Sequence, residues 1–173
     1  RGIMKILLAL LFISCQSNSI NLNSNNELVK VGTDLNSYRE ALSHGIDTSK
    51  PVTLDVFKVT CMPVGKRIKK IEMKQKITVS QVSHKNRNPS NAIPSDFKVY
   101  YEEFINNPKL DHKLVHLNSK EYALKRITAQ ETCMACHGAK QSRPSFVTKK
   151  YSNDLAYDFK VGDLRGIYII SRD

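Results

Sequence analysis

The chain contains no tryptophan and is sparing with glycine and proline, seven and six in 173 residues. It shows no internal repeat. With 40% apolar residues, this composition argues against global disorder and repeat arrays, and fits one domain with a buried core plus a tether. No apolar run is long enough to cross a bilayer. The longest, residues 6–13, has eight residues, against roughly twenty for a spanning helix. Acidic residues are few: 16 Asp plus Glu face 27 Lys plus Arg, a formal net charge of +11. A basic balance suits nucleic acid, an anionic membrane or an acidic partner protein. The charges are scattered and no nucleic-acid motif accompanies them, so solubility and steering are favoured and no nucleic-acid partner is expected. The densest patch, Lys66-Arg67-Ile68-Lys69-Lys70, is broken by Ile68 and fits the wet side of a helix. A second C-x-x-C, an H-x-x-x-H pair and any acid–base constellation are all missing, which leaves zinc short of ligands and gives no sign of an enzyme.

What is present begins with a leader. Met4-Lys5 reads as the true start, with Arg1 to Ile3 as upstream translation, and residues 6–13 suit the apolar region of an export signal. Leu11-Phe12-Ile13-Ser14-Cys15 resembles a bacterial lipoprotein box, with a small residue before the cysteine that would be modified. An ordinary export signal is the plainer alternative. Residues 1–15 are therefore expected to be a lipoprotein signal peptide with Cys15 lipidated. Residues 16–27, rich in Asn and Ser, are expected to be a flexible spacer, and 28–173 the domain. This puts the protein on the periplasmic side of a bacterial envelope, lipid-anchored, at the outer membrane rather than the inner.

Cys133-Met134-Ala135-Cys136-His137 has the form C-x-x-C-H, the attachment signature of c-type haem. Two thiols three residues apart share one face of a helical turn and can each add to a porphyrin vinyl group. His137 is then placed to ligate the iron. A thiol–disulfide pair would not explain His137 directly after Cys136. One covalently attached haem c is the expected cofactor.

Cysteine arithmetic leaves one over. With Cys15 lipidated and Cys133 and Cys136 on haem, Cys61 is alone in an oxidising compartment. It can be a buried inert residue, half of an intermolecular disulfide, or a metal ligand. Pro51 can open a helix in which Leu54, Phe57 and Cys61 form one apolar stripe, and Pro63 is expected to end it. That would aim Cys61 into an apolar site, but spacing alone leaves axial ligation and inert burial equally open. His44, His84, His112, His116, Met62, Met73 and Met134 are other candidate iron ligands, each more easily read as a bystander.

The spacing of Leu28, Val31, Leu35, Tyr38 and Leu42 predicts a helix stopped at Gly45, with Gly32 as a possible break before a second segment. Strands are expected over residues 77–83, 113–118, 122–128 and 165–171, and a loop over 85–94. Phe97, Tyr100, Tyr101 and Phe104 mark a further helix, and Thr132 is the expected cap of the haem-attachment helix. Helices first, then an antiparallel sheet interrupted by a short helix, is an α+β pattern.

Three blocks resemble one family. They are the helix ending at Cys61, the loop Val82-Ser83-His84-Lys85-Asn86-Arg87-Asn88-Pro89-Ser90-Asn91, and Cys133 to Gly138 with the later turn Gly162-Asp163-Leu164-Arg165-Gly166. Together they resemble the PAS-like monohaem c-type domain family, found as a haem sensor module and as a free-standing cytochrome. The resemblance implies a PAS-like antiparallel sheet with flanking helices, and iron held between His137 and the thiolate of Cys61. His84, in the second block, could approach the haem, and Arg87 could pair with a propionate or hold the loop to backbone carbonyls. An anionic thiolate would favour ferric iron and lower the potential.

With both axial positions filled, substrate has no open iron site, and a catalytic role through a vacated site is a distant third reading. The first reading is a redox protein passing single electrons to a partner. The alternative is a haem-based redox or gas sensor. The sequence carries no kinase, cyclase or methyl-accepting segment, so a sensor would signal through a separate partner.

Overall fold

The computed structural model describes residues 22–173. Cys15 and the leader lie outside them, and the expected spacer is described only from Leu22. There the first helix, α1 (Leu22–Ser43), begins. Among the described residues, no helix is long and apolar enough to cross a membrane.

The fold is α+β and PAS-like. Four strands, β1 (Ile77–Val82), β2 (His112–Leu117), β3 (Lys120–Thr128) and β4 (Leu164–Arg172), form one antiparallel sheet in the order β1-β4-β3-β2. The β2–β3 hairpin turns on Asn118 and Ser119, whose φ values of 50° and 62° suit a two-residue hairpin loop matched to strand twist. β4 is central and covered on both sides. That is why Ile167, Tyr168, Ile169 and Ile170 are all buried and show no alternation.

α1 covers one face of the sheet. Leu28, Val31 and Leu35 are its buried stripe, packed with Ile77, Val79, Ala123, Ile127, Tyr168 and Ile170. Gly32 does not break the helix. A Cβ there would sit 2.8 Å from Cβ of Lys125, so the glycine lets α1 lie close against β3. The other face is covered by α4 (Lys98–Asn106), which buries Tyr101 and Phe104 against Leu124, Ile167 and Ile169.

The region around Cys61 departs from expectation. Pro63 does not end a helix; it lies in the first turn of α3 (Met62–Gln75), where a missing N–H costs nothing. α2 (Leu54–Thr60) runs straight into it. Cys61 joins the two, its N–H donating to Phe57 O at 3.0 Å while it stands as the N-cap of α3. Leu54 is 46% exposed, so the expected apolar stripe is only partly covered, and Cys61 itself is exposed rather than sunk in a core.

Candidate functional site

The attachment motif lies on α5 (Met134–His137), entered through the tight turn Glu131–Cys133. The cap of α5 is Cys133, with no side-chain bond. Thr132, the expected cap, is instead left with a buried Oγ1 that has no partner among the described residues. Cys136 is buried and Cys133 half-buried. Burial, above all, pushes the Cys136 thiol up to about 11.

The segment before β4 fastens this helix from below. Phe159 N–H donates to His137 O at 3.1 Å, and Asp158 N–H to Gly138 O at 2.7 Å. His137 Nδ1 lies 2.8 Å from Ala156 O. A carbonyl can only accept, so Nδ1 carries the proton and Nε2 keeps its lone pair. Burial first, then Arg165 and Arg87, holds the imidazole well below its usual pKa. It is therefore neutral, oriented and fixed in the tautomer that a metal-ligating histidine requires.

Arg87 ties the loop of the second block to the motif. Its Nη2 donates to Cys136 O at 2.9 Å and its Nε to Asp154 Oδ1 at 3.3 Å. Asp154 is buried, and its other oxygen accepts from Arg143 at 3.2 Å. Burial raises the Asp154 pKa, but the Ala156 N–H and the two guanidiniums outweigh it and hold the carboxyl below its usual value.

A cavity of about 380 Å³ opens beside α5. Cofactor and ligand pockets commonly occupy roughly 300–1,000 Å³. Cys133, Cys136 and His137 line it from one side, and Cys61, with Met62 and Gly65, from the α2–α3 junction. Arg87, Arg39 and Arg165 line it too, as does Thr132, and among the described residues no Asp or Glu does. Thr60 Oγ1 is 3.7 Å from Cys61 Sγ.

The other candidates part company here. His84 lies outside this cavity, lining a second one with Lys85, Phe159 and Asp163, its Nδ1 2.9 Å from Tyr101 Oη. The Ser83–Lys85 turn directs it toward α4 instead. His112 faces Asp111 and His116 faces Glu121, both on the surface, and Met73 is 79% exposed. Of the alternative ligands, Met62 alone lines the cavity beside Cys61. Residue spacing did not reveal Arg39, Asp154, Ala156 or Phe159, because each meets the motif only through the tertiary fold.

A model of the Tll0287-like family matches residues 18–172. The chain belongs to the Tll0287-like family. The crystal structure of the cyanobacterial haem protein Tll0287 is similar to it, with a TM-score of 0.79 and 36% identity over 87% of this chain and 95% of that one. No curated protein matches. Membership in the Tll0287-like family agrees with the resemblance drawn from the three sequence blocks.

Proposed function

We propose that this chain is a haem-binding, PAS-like sensor domain. In this reading Cys133 and Cys136 would hold one haem through their sulfurs, and His137 and Cys61 would be the donors to its iron. The carrying observation is that two thiols and a neutral, oriented imidazole on α5 share one cavity with Cys61 of the α2–α3 junction. The donor set fits the group. Guanidiniums on the cavity wall suit its carboxylates, and Thr132 Oγ1, without a partner among the described residues, marks a wall lacking a polar neighbour. Tll0287, whose crystal structure is similar, is a haem protein, which supports the same cofactor here.

Bound haem would supply an iron that changes valence or takes up a small gas. Ala156 and Arg87 hold the His137 side of the site through backbone and guanidinium bonds. The Cys61 side is different. It is an exposed residue at a helix junction, and its sulfur lies 3.7 Å from Thr60 Oγ1. An exposed ligand at the junction of two helices is the displaceable one, and its loss would be felt by both helices. That asymmetry favours sensing through a separate partner.

Electron transfer is the second reading. Lys66, Arg67, Lys69 and Lys70 are exposed on α3, whose first turns line the cavity, and they would steer an acidic redox partner. For either reading we place the protein outside the cytoplasm, lipid-anchored at Cys15. Binding of carbon monoxide to the ferrous protein, in wild type and Cys61→Ala, tests the choice. Sensing predicts that wild type binds it by displacing Cys61 and that the variant binds faster with an altered ferric spectrum. A wild-type ferrous form inert to carbon monoxide supports the carrier, and a ferric spectrum unchanged by Cys61→Ala removes Cys61 from the iron.

A further inference from the structure

Arg165 sits where the regular pairing of the sheet breaks. Ile127 pairs with Gly166 and Thr128 with Leu164, so Arg165 is an extra residue on β4. A bulge of this kind re-aims a side chain that alternation would send elsewhere. Leu164, Ile167 and Ile169 pack on the α4 side, while Tyr168 and Ile170 pack on the α1 side. Counting back from Ile167 by twos would put Arg165 on the α4 side. It lines the cavity instead, with Ile127 and Gln81. Gly166 permits this: a Cβ there would lie 2.4 Å from Val82 O.

The charge so delivered is uncompensated. Among the described residues Arg165 makes no ion pair or side-chain hydrogen bond, and its guanidinium rests 5.1 Å from the centre of the Phe159 ring. Burial, followed by Arg39 and Arg87, presses its pKa down to about 10. Arg87 is answered by Asp154. Arg39 is held only by neutral groups among the described residues, its Nη2 donating to Tyr168 Oη at 2.7 Å and Gln81 Oε1 at 2.6 Å. Two cations thus face a cavity to which the described residues bring no carboxylate. Such an arrangement is costly alone and calls for an anion.

We propose that Arg165 and Arg39 form the carboxylate-binding end of the cavity and hold the haem propionates, with the β4 bulge as the device that aims Arg165 there. This rests on the haem reading above. A guanidinium fork matches a carboxylate, and the Tyr168 and Gln81 bonds pre-set the orientation of Arg39. Arg87, tied to Asp154 and Cys136 O, is a positioning residue for the attachment helix rather than a propionate ligand.

The test uses holoprotein of wild type, Arg165→Gln and Arg165→Lys. Haem content and midpoint potential are measured on the same samples across the pH range around neutrality, in chloride and in phosphate. Removing a positive charge near the iron should favour the ferric form, so Arg165→Gln should have the lower potential. A propionate freed from its guanidinium in a partly buried site should titrate higher, extending the pH dependence of the variant's potential to higher pH than in wild type. Arg165→Lys should recover part of both effects, and neither should depend on the buffer anion. Full haem content with a wild-type potential and pH profile in Arg165→Gln overturns the proposal, as does an Arg165→Lys no closer to wild type. Dependence on the buffer anion would assign the site to a soluble anion and overturn it too. A wild-type protein without haem brings down the haem reading, and this proposal with it.

Discussion

Asp154 organises the α5 side of the site although it touches none of the expected ligands. Its carboxylate is shared by Arg87 and Arg143 and accepts from the Ala156 N–H, so it positions both the guanidinium behind Cys136 and the carbonyl behind His137. Removing its charge leaves two partly buried guanidiniums unpaired. Asp154→Asn should therefore destabilise the fold by about 3 kcal/mol at neutral pH. The folded pKa is depressed, so this stabilisation is present above the ordinary carboxyl value of 3.8 and is lost as pH falls through the folded value. Denaturant melts of the variant should thus show a shallower loss of stability in acid than wild type. Equal midpoints at neutral pH would refute the assignment. The residues readable from sequence were those whose chemistry is written in local spacing: Cys133, Cys136 and His137 within one helical turn. Asp154 was not, since an isolated Asp in a loop has no local signature, and the turn that contains Arg165 did not show where its side chain points.

The elements were legible where one physical rule acted alone. Apolar spacing over Leu28, Val31 and Leu35 gives α1, and the β-branched run before Arg172 gives β4. Two rules competed at the junction of α2 and α3, because a proline stops one helix and starts another equally well. The second outcome holds at Pro63, and it leaves Cys61 on the rim between two helices. Gly32 was ambiguous in the same way, a possible break in sequence and a point of close packing in the fold. The bulge at Arg165 was invisible, because an extra strand residue is defined only by its partner strand. Its dependence on Gly166 is testable. Gly166→Ala should cost about 2 kcal/mol, through overpacking against a backbone carbonyl that cannot retreat without disturbing β1–β4 pairing. A variant melting with wild type would mean that the sheet accommodates a side chain there.

Across the whole molecule, a sheet covered on both faces carries the site at one end, and segments far apart in sequence supply its walls. α1 contributes Arg39, the α2–α3 junction Cys61, the loop after β1 Arg87, α5 the attachment motif, and β4 Arg165. The chain is a member of the Tll0287-like family over residues 18–172. The central claim is that this convergence holds one covalent haem. The mass of the intact, denatured protein tests it most directly, after expression with the haem-attachment machinery of an envelope compartment. Retention of the mass of one haem in wild type, lost when Cys133 and Cys136 are both replaced by Ala, is the predicted result. A wild-type chain with the mass of the bare polypeptide would contradict the account.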